Sequence, residues 1–128
     1  MNILLLDDAM ATSQLLSLYL QSQGYAVVVA ADGESGLARV AQDTPDCILL
    51  DWCMPFLDGA GFLKRLRAEP RWQEIPVVVL TALGSKEIEA LEGQWPGLRI
   101  MQKPLTPEEI HRALECIAGD SPEKEKTT

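Results

Sequence analysis

Five residues of this 128-residue chain could do chemistry together: Asp7, Asp8, Asp51, Thr81 and Lys103. Each stands at or just past the end of a short apolar run. Ile3-Leu4-Leu5-Leu6 leads into Asp7-Asp8, Ile48-Leu49-Leu50 into Asp51, Val77-Val78-Val79-Leu80 into Thr81, and Leu98 to Met101 into Lys103-Pro104. Clustered carboxylates repel one another unless a proton or a cation intervenes. Lys103 offsets only one charge. Oxygen ligands of this kind suit a hard divalent ion; magnesium accepts one or two carboxylates, keeps waters and shares phosphate oxygens. A carboxylate can also act as a nucleophile and form an aspartyl phosphate. Phosphoryl transfer asks mainly for positioning and for neutralised equatorial oxygens. A metal, a hydroxyl and a lysine supply both. No Ser/His/Asp set competes, because the single histidine, His111, falls in a helix and reads as solvent-facing or structural.

These residues meet only if the apolar runs lie side by side in one sheet. Ile48 to Leu50 shows no alternation and is bounded by Pro45 and Pro55, the pattern of a fully buried strand. Val27-Val28-Val29 is a further strand, β-branched and apolar. Arg99 makes the last strand less apolar, as suits an edge.

Helical patterns alternate with the strands. The first spans about Ala11 to Gln23, with Leu15, Leu16, Tyr19 and Leu20 as its apolar stripe and Gly24 at its C-terminal stop. Asp32-Gly33 is a turn signal before a helix over about Ser35 to Gln42, with Leu37, Val40 and Ala41 on one side. Asp58 is a cap for a third helix. There Phe62, Leu63 and Leu66 face the core and Lys64, Arg65 and Arg67 face water, and Glu69-Pro70 ends it. Ser85 reads as the cap of a fourth helix, about Lys86 to Glu92, with Ile88 and Leu91 inward. Trp95-Pro96-Gly97 is a loop. The last helix has the clearest start: Thr106 as cap, Pro107 at the first helical position and Glu109 closing a capping box. Ile110, Ala113, Leu114 and Ile117 form its inner face.

Five strand–helix units in strict alternation predict an α/β fold with a parallel sheet and helices on both faces. In a doubly wound order of 2-1-3-4-5 the active edge forms beside the switch between strands one and three. The second strand ends in no polar group of use and falls to one side. The length predicts one domain, over residues 1–119, followed by a tail or linker over 120–128 that has no apolar residue except Pro122.

The net charge of -8 argues against direct binding of nucleic acid or an anionic membrane. Cys47, Cys53 and Cys116 are an odd number without zinc spacing. Cys47 and Cys116 read as core residues, and a reducing cytoplasm fits. No signal peptide is read, and no stretch approaches the roughly 18 apolar residues of a membrane span.

In this order, these motifs resemble the response-regulator receiver domains of two-component signalling, the flavodoxin-like, CheY-like fold. The segments are Asp7-Asp8, Asp51-x-x-Met54-Pro55-x-x-Asp58-Gly59, Thr81-Ala82 and Lys103-Pro104. The likeness runs from about Asn2 to Ala118. It implies that Asp51 accepts a phosphoryl group from a sensor histidine kinase or histidine phosphotransfer protein. It implies that Asp8 and Asp51 bind magnesium directly with the backbone carbonyl of Cys53, Asp7 assisting through water. Thr81, Ala82 and Lys103 would bind the phosphoryl group and start the switch. The Lys103-Pro104 bond would be cis, a form that only proline makes cheap. Such a domain catalyses only its own phosphorylation and dephosphorylation. It signals to an effector through its fourth helix, fifth strand and fifth helix.

The chain also departs from the family. An aromatic residue usually stands three before the lysine, where this chain has Ile100. Trp95-Pro96-Gly97-Leu98 replaces the usual Gly-Ala ahead of the fifth strand. The two positions associated with dephosphorylation carry Cys53 and Leu83. Three other readings compete. A haloacid-dehalogenase-type phosphatase needs an Asp where Cys53 stands. A non-phosphorylated pseudo-receiver would serve as an interaction module. A flavodoxin-type nucleotide binder lacks its Gly-rich phosphate loop here.

Overall fold

The computed structural model describes residues 1–52, 59–82, 84–95 and 98–119. Five strands form one sheet: β1 (Asn2–Leu6), β2 (Ala26–Ala30), β3 (Cys47–Asp51), β4 (Val77–Thr81) and β5 (Arg99–Gln102). Their order is β2-β1-β3-β4-β5, and every neighbouring pair is parallel. The helices are α1 (Met10–Ser22), α2 (Gly33–Gln42), α3 (Gly59–Ala68), α4 (Ser85–Gln94) and α5 (Pro107–Gly119). The expected α/β architecture is the one observed.

The unalternating apolar runs become the central strands because both of their faces are covered. On one face Leu4, Leu6, Ile48, Leu50, Val77 and Val79 pack with Leu37 and Val40 of α2, Phe62, Leu63 and Leu66 of α3, and Leu91 of α4. On the other, Ile3, Leu5, Cys47, Leu49, Val78 and Leu80 pack with Leu16 and Leu20 of α1 and Ile110 and Leu114 of α5. Such a strand has no polar side to give away until it leaves the sheet, so the carboxylates and the hydroxyl appear at its end.

Local signals set the boundaries. Gly24, at φ 97°, follows α1 in the left-handed region that glycine adopts without a Cβ penalty. Asp32 is more than a turn residue: it caps α2, its Oδ1 accepting from the Ser35 N–H at 2.8 Å. The capping box of α5 is formed. Glu109 N–H donates to Thr106 Oγ1 and Thr106 N–H donates to Glu109 Oε1, both at 3.2 Å.

Several expectations need correction. Leu15 is exposed, and the face of α1 that meets the sheet is Leu16 and Leu20 with the buried Ser13 and Ser17. The small serines fit under the helix and rotate the buried stripe away from Leu15. Ala41 is exposed; α2 instead buries Gly33 and Gly36 beside Leu37 and Val40. A Cβ on Gly36 would stand 2.5 Å from Leu6 Cδ2 and 3.2 Å from Phe62 Cε1, so glycine lets α2 approach the sheet. Arg67 does not simply face water: its guanidinium donates to the carbonyls of Trp72 (2.9 Å) and Ile75 (3.0 Å). It thereby holds the 3-10 turn Pro70–Trp72 that follows α3. Ser85 is the first residue of α4, and Gly84 takes the cap position. β5 runs one residue later than expected, because Leu98 N–H turns back to the Trp95 carbonyl. Asp58, Pro96, Gly97 and residues 120–128 lie outside the described residues.

Cys116 is exposed, against the expectation that it packs in the core, since it falls off the stripe of Ile110, Ala113, Leu114 and Ile117. Cys47 is fully buried, and burial pushes its thiol up to about 12. Native alkylation with iodoacetamide at mildly alkaline pH is therefore expected to label Cys116 and spare Cys47, because the thiolate is the reactive form. Labelling of Cys47 at the same rate, read by peptide mass, would contradict this placement. His111 is half-buried and makes edge-on contacts with Tyr19 (6.2 Å between centroids) and Tyr25 (5.5 Å), a structural role between α1 and α5.

Candidate functional site

The chemistry-bearing residues gather at the C-terminal edge of the sheet because of its order. β1, β3, β4 and β5 are consecutive, so the groups at their ends are neighbours, and β2 lies outside them. Asp7 follows β1, with its N–H donating to the Ala30 carbonyl at 3.1 Å. Asp51 closes β3 in register with Leu80, and Thr81 closes β4 in register with Gln102. Lys103 follows β5, and its N–H donates to the Thr81 carbonyl at 2.7 Å. The Lys103-Pro104 peptide is cis.

The side chains differ in exposure. Asp7, Asp51 and Thr81 are buried, and Asp8 and Lys103 are exposed. Carboxylate oxygens of Asp7, Asp8 and Asp51 lie within 4.8 Å of one another. Lys103 Nζ is 3.1 Å from Asp51 Oδ1. Asp7 Oδ1 accepts from the Ala9 N–H at 2.9 Å. Burial holds the Asp7 carboxyl above its ordinary range, and the Asp51 charge adds to the rise. The Ala9 N–H and Lys103 only partly offset that. Three carboxyl groups thus share this edge with one ammonium.

This donor set fits magnesium. All its charged ligands are oxygens, from more than one carboxylate, and one edge of the cluster is open at Asp8. The Cys53 carbonyl named for the metal site, and Leu83, lie outside the described residues. Ala82 is described and exposed, just past Thr81.

One contact was not read from the sequence. Trp52, the residue after the candidate acceptor, lies against Gly59, where a Cβ would come within 2.5 Å of Trp52 Cε3. Gly59 N–H also bonds to the Trp52 carbonyl at 3.3 Å. The glycine of the Asp-Gly pair thus admits the indole beside Asp51. A glycine at a helix start was the available signal, and it also fits a simple turn.

Residues 3–115 match the family model for the response regulator receiver domain. The chain is 46% identical over 82 residues to the DNA-binding dual master transcriptional regulator RpaA of Synechocystis, covering 64% of this chain and 34% of that protein. It thus spans about a third of that relative's length. Among solved structures, the chemotaxis response regulator CheY4 of Vibrio cholerae superposes with a TM-score of 0.83 at 30% identity, covering 91% of this chain and 97% of that one. The receiver domain of the sensor histidine kinase PA1611 of Pseudomonas aeruginosa superposes with a TM-score of 0.83 at 28% identity, covering 93% and 98%. That structure has a magnesium ion coordinated in its active-site cleft.

Proposed function

The chain belongs to the response regulator receiver domain family, and from that premise we propose that it accepts a phosphoryl group on Asp51 and relays its presence as a change of conformation. The observation that carries the reading is the placement of Asp51. It is a buried carboxylate at the end of a central strand, 3.1 Å from a lysine ammonium and clustered with two further carboxylates.

The donor is a phosphohistidine of a sensor histidine kinase or of a histidine phosphotransfer protein. An Asp51 oxygen attacks phosphorus, the P–N bond breaks, and the imidazole leaves with a proton. Asp8 and Asp51 would hold magnesium, with Asp7 reaching it through water and the Cys53 carbonyl as a further ligand. The bound ion supplies positive charge that neutralises the phosphoryl oxygens. Lys103 transfers its ion pair from the Asp51 carboxylate to a phosphoryl oxygen. Thr81 donates its hydroxyl to another, which draws the Thr81-Ala82 segment toward the site.

That movement bears on α4. Among its described side chains only Leu91 is buried, with Ile88 half-buried, and its cap residue offers no side chain. A helix so lightly anchored shifts at small cost. Ile100, half-buried on β5, is branched at Cβ and has little rotamer freedom. The output through α4, β5 and α5 to an effector therefore runs mainly by displacement of α4. The chain acts in the cytoplasm and on no separate substrate. Among the described residues no helix is long and apolar enough to cross a membrane.

Incubation with acetyl phosphate or phosphoramidate tests the reading. The intact mass is expected to rise by one phosphoryl group in the presence of magnesium and not in the presence of EDTA. No mass gain from either donor would leave a pseudo-receiver in its place.

A further inference from the structure

The edge of the sheet farthest from β5 lacks the usual defences of an edge strand. Proteins blunt such edges with lysine, proline, bulges or inward charges. β2 has none of these. Its sequence is Ala26-Val27-Val28-Val29-Ala30, uncharged and β-branched, and it pairs one-to-one with β1 over all five residues without a bulge. Among the described residues no strand lies beyond it. Val28 is 44% exposed.

The hydrogen bonds show which groups the edge offers. Ala26 N–H donates to the Met1 carbonyl and the Ala30 carbonyl accepts from the Asp7 N–H, both at 3.1 Å. Residues 26, 28 and 30 therefore turn their backbone groups toward β1. Strand alternation turns those of Val27 and Val29 outward.

We infer that a second copy of this chain pairs with this edge, β2 against β2, antiparallel about a two-fold axis at Val28. The sequence of β2 reads the same in both directions, so the axis sets Val27 opposite the partner's Val29 and Ala26 opposite the partner's Ala30. Val27 and Val29 then exchange both of their outward hydrogen bonds with the partner strand. Val28 meets the partner's Val28 at the close, non-hydrogen-bonded position, where side chains pack best.

The flanking elements agree with this geometry. Beside the edge is a hollow of about 180 Å³, lined by Leu4, Ala26, Val28, Arg39, Asp43 and Pro45 among others. Arg39 and Asp43 lie one turn apart at the C-terminal end of α2, where both line this hollow. The two-fold makes the contact isologous, the same strand and helix meeting in both copies. α2 packs on β1 and β2 alike. A strand spacing of about 4.8 Å then sets the two α2 helices about 10 Å apart, an ordinary helix-packing distance. On the other face, α1 contains no charged residue. For a chain of net charge -8, self-association is opposed wherever like charges meet. β2 itself brings no charge to the contact.

The pairing leaves Asp51 and β5 free, so it stands apart from the phosphoryl reading. Sedimentation velocity on the 128-residue chain, from low micromolar to millimolar concentration, tests it, with circular dichroism confirming the fold of each variant. The wild type is expected to pass from monomer to dimer, and Asp51→Asn to do the same. Val28→Lys is expected to raise the dissociation constant about tenfold or more. A wild type monomeric throughout, or a Val28→Lys variant that associates as well as wild type, would overturn the proposal.

Discussion

Asp51→Asn is expected to take up no phosphoryl group from acetyl phosphate and magnesium under conditions that label the wild type. The amide keeps the shape of the carboxylate and removes the nucleophile, since its nitrogen lone pair is delocalised and its oxygen is neutral. The fold should survive. Lys103 loses its partner, but its side chain is 41% exposed, and a pair so accessible to water contributes at most about 1 kcal/mol. Asp7 loses a repulsive neighbour, so its carboxyl falls back toward the ordinary range while burial still holds it up. The variant should therefore unfold within about 1 kcal/mol of wild type. Intact mass spectrometry decides the outcome: an equal mass gain in the variant would move the acceptor elsewhere.

Phe62→Ala is expected to be the most damaging single truncation in the core. Phe62 is fully buried among Leu4, Leu6, Leu37, Val40, Ile48 and Leu50, where α3 meets α2 and the sheet. Its ring fills the space that Gly36 leaves, with Cε1 3.2 Å from where a Cβ would stand. Replacing a buried phenylalanine with alanine costs about 3–5 kcal/mol in lost burial and residual cavity. A domain of this size has about 5–15 kcal/mol in all, so the loss removes a large share. Urea denaturation should show a clear drop in midpoint with little change in slope. A loss below about 1 kcal/mol would mean that the site collapses around the smaller side chain.

The sequence showed the sheet because its central strands are buried on both faces and can carry only apolar residues. It showed the candidate site for the same reason, since the first polar residue after each run marks where the strand leaves the core. Cap chemistry was equally local, and Thr106, Pro107 and Glu109 could be read directly. What failed depended on neighbours distant in sequence. Leu15 and Leu16 are alike as residues, and only the approach of α1 to the sheet through Ser13 and Ser17 separates them. Arg67 looked solvated because its acceptors are carbonyls of a turn whose path the sequence did not reveal. Cys116 reads as a core residue from its place in a helix, although its position lies off the buried stripe. Gly59 reads as a turn or helix start, and its contact with Trp52 is a pairing of distant side chain and backbone that no local pattern reveals.

The central claim is that Asp51, and no other carboxylate, carries the phosphoryl group. The most direct measurement labels the wild type with acetyl phosphate and magnesium, reduces the acyl phosphate with borohydride, and maps the product by trypsin and fragmentation. Cleavage after Arg39 and Lys64 releases a peptide that holds Asp43, Asp46, Asp51 and Asp58. The modification is expected on that peptide and, within it, at Asp51 alone. Modification at Asp7, Asp8 or Asp58, with Asp51 unmodified, would contradict the account.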